Sequence, residues 1–185
     1  MKQYLQILGL VVVISGIFTT CKPDSLTALQ EQEVVTLNSY IKSRNLSEYK
    51  DISGIYYKDS IVGTGDSIKS GYLVKMDYRI TLIDGTVVFT NEDEYGHKYE
   101  QSNFYVDVSN DAVNESYVQQ IAGLHKGMKK MRIGGSAFMV IPSEYAFKAL
   151  DYKSKIGIPR FSTLLVKVYA AKAYSPEEQK EQQQQ

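Results

Sequence analysis

The sequence predicts an α+β domain of roughly 120 residues, with four to six antiparallel strands around one short helix. Three observations carry this. Between Ile52 and Ala171, short apolar runs alternate with Gly- and Asp-containing turns. Within that region Val118 to Met128 places Val118, Ile121, Leu124 and Met128 on one helical stripe. Val and Ile are frequent and there are 15 tyrosines, side chains suited to a pleated, half-buried surface. A chain of 185 residues is long enough for one such domain plus ends that need not join its core.

The elements follow in order. Lys2 precedes an apolar run of 14 residues, Leu5 to Phe18, interrupted by Gln6. A bilayer span needs about 20 residues, so the run fits the apolar region of a secretory signal. Thr19 and Thr20 lead to Cys21, the single cysteine. Phe18-Thr19-Thr20-Cys21 resembles a bacterial lipobox, whose cysteine is acylated and becomes the new N-terminus. Thr20 is small, though not the Gly or Ala commonest there. Cys21 is therefore the candidate lipidation site, and two or more acyl chains anchor firmly. Lys22-Pro23-Asp24 is a non-helical tether.

Residues 25–44 read as an amphipathic helix, with Leu26, Leu29, Val34, Leu37 and Ile41 at helical steps and Ser25 or Asp24 as N-cap. It packs on the domain or spaces it from the membrane; the alternative is a partner-binding or dimerising helix. Ile55-Tyr56-Tyr57 is a short strand and Gly63 to Asp66 a turn. Tyr72 to Ile83 is a long strand with the even residues from Val74 to Leu82 on one face. Asp84-Gly85 is a hairpin turn and Val87-Val88-Phe89 returns. Residues 90–103 and 109–117 are loops flanking a strand from Phe104 to Val108. Val118 to Met128 is the helix, Ala137 to Ile141 a strand, 143–157 a loop, and Leu164 to Ala171 the last strand. The tail 175–185 (SPEEQKEQQQQ) is low in complexity and reads as disordered. The domains are then a signal peptide 1–20, a lipidated tether 21–24, an N-terminal helix 25–50, the folded domain 51–174 and the tail.

Basic and acidic residues number 21 each. Removing residues 1–20 takes Lys2 and no acid, leaving 21 − 1 = 20 basic against 21 acidic residues. That balance lacks the basic footprint of a nucleic-acid binder. One cysteine cannot form an internal disulfide. His97 and His125 stand alone and read as exposed, not as metal ligands. Asn91-Glu92-Asp93-Glu94 reads as a solvated acidic loop without the glycine and spacing of a calcium loop. Lys126, Lys129, Lys130 and Arg132 read as a solvated face, with lipid headgroups as the alternative partner. No metal or cofactor is expected.

A further set of landmarks goes beyond pattern. Gly63-Thr64-Gly65 is followed by Val74-x-x-x-Tyr78 and by Leu82-Ile83-Asp84-Gly85 with Phe89. Then come Ile121-x-Gly123-Leu124-x-x-Gly127-Met128, Met131-x-x-Gly134, Ile141-Pro142-Ser143-x-Tyr145-Ala146-Phe147, Ile158-Pro159 and Leu164. In this order and spacing the chain, over about residues 53–174, resembles the FKBP family of peptidyl-prolyl isomerases. With its preceding helix it also looks like a group of bacterial surface lipoproteins with divergent sites. The resemblance implies a half-open antiparallel sheet wrapped over a short helix, with a pocket between them. Tyr78, Phe89, Ile121 and Phe147 would be its catalytic residues, and Phe104, Leu124, Ile158 and Val166 would complete the substrate-binding lining.

Such a site needs no nucleophile. Turning an Xaa-Pro bond means breaking amide resonance, a barrier of about 18–20 kcal/mol. A dry apolar pocket that grips the prolyl ring favours the twisted amide, which has less charge separation than the planar one. By the resemblance, the backbone N–H of Ile121 would donate to the substrate carbonyl. The chain departs from the family pattern at Thr90, where an Asp is usual. It departs again at Phe147-Lys148, where a Tyr hydroxyl is usual, at Leu124 in place of a Trp floor, and at Pro159-Arg160 in place of Pro-Pro. Lost hydrogen bonds to substrate cost about 1–3 kcal/mol each, so weak catalysis is expected.

Three functions compete: an isomerase or folding helper for proline-containing peptides and exported clients; a non-catalytic protein- or peptide-binding module; and a structural lipoprotein with a filled pocket. An open cleft lined by Tyr78, Phe89 and Ile121 fits the first two, and side chains plugging it fit the third. The expected location is a bacterial cell envelope, lipid-anchored to a membrane, the outer membrane first, with the domain periplasmic or surface-facing.

Overall fold

A computed structural model describes residues 25–93, 98, 100–108, 116–182 and 184. Cys21, the signal segment and tether, His97, Glu94 and residues 109–115 lie outside the described residues. The elements are α1 (Ser25–Ser43), β1 (Tyr56–Ile61), β2 (Leu73–Leu82), β3 (Val87–Thr90), β4 (Ser102–Tyr105), α2 (Ala122–Met128), β5 (Ser136–Ile141), α3 (Lys153–Ile156), β6 (Leu164–Tyr174) and α4 (Pro176–Gln182).

Six strands form one antiparallel sheet in the order β1-β5-β6-β2-β3, with β4 also on β2. The long β2 pairs along its length with β6. Its other edge is shared: β4 pairs with Leu73–Met76 and β3 with Arg79–Thr81. The interval between them is closed by a side chain. Asn91 Oδ1 accepts the Tyr78 N–H at 2.8 Å, and its Nδ2 donates to Met76 O at 3.3 Å and Asp77 Oδ1 at 3.2 Å. An amide offers both a donor and an acceptor, so Asn91 continues the ladder where no strand is present. Placed in the acidic loop by sequence, Asn91 is instead buried.

Val74, Met76 and Ile80 of β2 point into the core with Tyr78 and Leu82 packed beside them, as the period-two pattern predicts. On that face lies α2. Its two glycines let it approach β5 closely: a Cβ at Gly123 would stand 2.4 Å from Ile141 Cγ2, and one at Gly127 2.2 Å from Met139 Sδ. The alternate residues of β5 face the other way. There Phe138 and Val140 meet Leu37, Tyr40 and Ile41 of α1 in a smaller apolar cluster, so α1 packs on the outer face of the sheet.

Three elements differ from the sequence reading. Val118 to Met128 is two pieces, a 3-10 turn Val118–Gln120 and α2, separated by Ile121 with extended backbone (φ −78°, ψ 94°). The break lets Gln119 turn inward and bind Tyr105 like a neighbouring strand: its Oε1 accepts the Tyr105 N–H at 3.0 Å and its Nε2 donates to Tyr105 O. The loop after Ile141 contains a 3-10 turn, Ser143–Tyr145, and α3. The tail forms α4. Ser175 and Glu178 bind one another's backbone N–H groups, a capping box with Pro176 opening the helix.

Candidate functional site

All eight predicted pocket residues belong to one core cluster, in which α2, β2, β3, β4, β6 and the 142–163 loop meet. Within it they fall into three groups. Ile121, Leu124, Ile158 and Val166 are fully buried and form an apolar floor. Tyr78 and Phe104 line a cavity of about 250 Å³ with Met76, Ser102, Val118 and Gln119. Tyr78 is half-buried, and its hydroxyl is pushed up by that burial against the opposing hydrogen bond with Ser102. Phe89 and Phe147 stand together with ring centroids 6.5 Å apart.

Two tyrosines that sequence reading passed over complete this third group. Tyr117 stacks on Phe89 at 6.3 Å, and Tyr152 meets both Tyr117 and Phe147 edge-on at 5.3 Å. The four rings form a closed circuit, Phe89–Tyr117–Tyr152–Phe147. None of five cavities found among the described residues is lined by Phe89, Ile121 or Phe147. The rings pack on the cluster that contains the apolar floor. Edge-to-face pairs of this kind contribute about 0.5–1.5 kcal/mol each beyond the area they bury.

Polar groups near the floor are already engaged. The Ile121 N–H donates to Val118 O at 3.2 Å within the 3-10 turn. Thr90 Oγ1 donates to Tyr78 O at 3.1 Å. Phe147 brings no hydroxyl. The site is thus an apolar grip with few free donors. Among the described residues no group of three or more His, Cys, Asp or Glu is placed to hold a metal.

His125, expected on the surface, is largely buried beside the site. Its ring lies 4.6 Å from that of Phe104. Nδ1 accepts the Asp107 N–H at 3.0 Å, and Nε2 lies 2.7 Å from Gln119 O. These partners fix the neutral tautomer with the proton on Nε2. Burial holds the imidazole below its ordinary pKa; Lys129 acts in the same direction, and Gln119 O and the Asp107 carboxylate act against it. Protonation would set an Nδ1–H against the Asp107 N–H. Because the folded pKa is depressed, this stability is present above about pH 6.5 and is lost as pH falls through the lower folded value. Stability should therefore decline on mild acidification, and His125→Gln should flatten that slope in thermal melts from pH 7.5 to 5. Asp51, held at about 2 by the Lys130 and Ser53 hydrogen bonds, titrates in a separate, more acid range. An unchanged slope in His125→Gln would assign the acid sensitivity elsewhere.

The basic cluster is also spoken for. Lys129 pairs with Asp107 and Lys130 with Asp51, both at 2.6 Å. Lys126 donates to Ser53 O at 2.8 Å and lies 3.7 Å over the Tyr145 ring, while Arg132 Nε binds Gly65 O at 2.9 Å.

Strands β2 to β5 and the first part of β6, the floor and the Phe89–Phe147 pair lie within the segment that matches the FKBP-type peptidyl-prolyl cis-trans isomerase family, residues 65–170. The chain belongs to this family. Solved structures agree on the fold. FkpA from Escherichia coli superposes with a TM-score of 0.60 at 23% identity, covering 95% of this chain and 72% of that one. A peptidyl-prolyl cis-trans isomerase from Pseudomonas syringae pv. tomato gives 0.62 at 19%, covering 83% and 99%. AtFKBP13 gives 0.55 at 22%, covering 68% and 98%. No curated protein sequence matches the chain. Helices α1 and α4 and strand β1 fall outside the matched segment.

Proposed function

We propose that this FKBP-type protein is a weak prolyl isomerase and folding helper for exported proteins, tethered through acylated Cys21 to a membrane of a bacterial cell envelope. The observation that carries the enzymatic part is the pairing of Phe89 and Phe147 over a floor of Ile121, Leu124, Ile158 and Val166 that water does not reach. Such a floor accepts a prolyl ring and leaves the adjacent amide poorly solvated, which penalises its planar, charge-separated form more than the twisted one. The family supports this chemistry. The engaged Ile121 N–H and Thr90 hydroxyl, and the missing hydroxyl at Phe147, support a low rate.

The ring circuit favours a second reading, that of a filled pocket, a non-catalytic protein on the same fold that does not turn proline-containing segments. The full chain in mild detergent, assayed on Xaa-Pro peptides and on a refolding protein limited by proline, separates the two. Acceleration that drops at least about tenfold, or 1.4 kcal/mol, in Phe89→Ala is the expected result. No acceleration by the folded protein on either substrate ends the enzyme reading. The anchor rests on the run from Leu5 to Phe18 followed by Cys21, and incorporation of labelled fatty acid that persists in Cys21→Ser would end it.

A further inference from the structure

The loop from Ser143 to Thr163 carries Phe147, Tyr152 and Ile158 to the candidate site, so whatever holds its two ends holds these three residues in place. At its base Lys148 O accepts the Phe161 N–H at 2.8 Å. Both residues have left-handed backbone, φ 52° each, a conformation that costs a non-glycine residue on the order of 1–3 kcal/mol. A neck with two such residues needs outside support.

That support comes from the other side of the sheet. Glu33, on the N-terminal helix α1, accepts three hydrogen bonds through one carboxylate. Its Oε1 takes the Ser143 N–H at 2.7 Å and the Thr163 hydroxyl at 2.9 Å, and its Oε2 takes the Ser143 hydroxyl. The donors are 110 and 130 residues away in sequence, and both hydroxyl residues are buried. Open grooves of about 1020 and 450 Å³ flank this contact, and Glu33 and Phe161 line both. Glu33 is thus a clasp in a span of α1 that is otherwise loosely packed: the one buried residue of the helix is Ile41, two turns further on.

We infer that Glu33 is a positioning residue, which clips both ends of the 143–163 loop to the N-terminal helix and so sets the population of the ordered site. It touches no substrate. The helix that leads toward the N-terminus is thereby coupled to the proline site, and a load or partner that lifts α1 would loosen the loop. When only a fraction of molecules is competent, apparent affinity falls by that fraction while turnover of bound substrate is kept. The kinetic consequence rests on the proline-site reading; the ordering of the loop does not.

Hydrogen exchange and isomerisation kinetics on the full chain in mild detergent test this, with Glu33→Ala, Glu33→Gln and Thr163→Val. In Glu33→Ala, amide exchange across 146–157 should rise at least tenfold while exchange in β2 and β6 stays as in the unaltered chain. KM for an Xaa-Pro peptide should rise about fivefold with kcat unchanged. Glu33→Gln, which keeps one acceptor oxygen, should fall between, and Thr163→Val added to Glu33→Ala should change nothing more. Loop exchange unchanged in Glu33→Ala, or a rise shared equally by β2 and β6, overturns the assignment. A rise confined to the loop in a protein that isomerises nothing sustains Glu33's role and ends the enzyme reading.

Discussion

Replacing Gly123 by valine will lower the unfolding free energy by about 3 kcal/mol and the Tm by roughly 10 °C. A Cβ at this position meets Ile141 Cγ2 at 2.4 Å and two further carbons of the same side chain at 3.2 Å. Ile141 is fully buried, and its strand is held by β6. The contact therefore falls on a branched side chain with no free direction, and valine adds two more carbons to it. Alanine would gain about 1 kcal/mol of helix propensity and still collide. Two other glycines calibrate the effect. At Gly127 the opposing atoms are Sδ and Cε of Met139, the far end of a flexible side chain, so alanine should cost less there. At Gly85, φ is 91° and nothing lies within 4 Å, so alanine should cost only the backbone strain, about 1 kcal/mol. Urea unfolding of the three variants checks the order; a Gly123→Val protein as stable as its parent would mean that α2 does not lie this close to β5.

What could be read in the sequence divides along physical lines. The alternation in β2 and the Asp84-Gly85 turn are local signals, and both appear in the structure where the pattern puts them. The helical stripe from Val118 to Met128 was real as a buried face but silent on the break. Its periodicity continues through Ile121 because a 3-10 turn and an α-helix offer the same spacing over so short a stretch. The capping box Ser175-Pro176-Glu177-Glu178 was legible in principle and was masked by the glutamines that follow. Of the eight site positions, all fall in one cluster. The long-range contacts around the candidate site were not legible. Tyr117 and Tyr152 sit in loops with no period. Asn91 looks like one member of a charged run, and Glu33 lies on what reads as the polar face of a helix. Each acquires its role from a partner more than ten residues away, and periodicity carries no information at that range.

Opening the roof is the second large effect. On the reading that the four rings cover the floor, a prolyl ring reaching it takes the place of Tyr117 or Tyr152; none of five cavities among the described residues is lined by Phe89 or Phe147. Lifting Tyr152 breaks two edge-on contacts at 5.3 Å, together about 1–3 kcal/mol, and that cost is charged against every substrate. Tyr152→Ala removes it in advance. Affinity for an Xaa-Pro peptide should rise about tenfold, with kcat/KM rising in step, while the protein itself loses roughly 1 kcal/mol of stability. Phe89→Ala should move activity the opposite way, because on the proposed reading Phe89, although its ring also closes the circuit, grips the prolyl ring. The opposition of sign is the decisive reading. If Tyr152→Ala weakens binding as Phe89→Ala does, Tyr152 is a wall of the substrate site and the closed circuit is the binding surface itself. If it strengthens binding, the low rate proposed for this FKBP-type site is set by the cover as well as by the missing polar contacts.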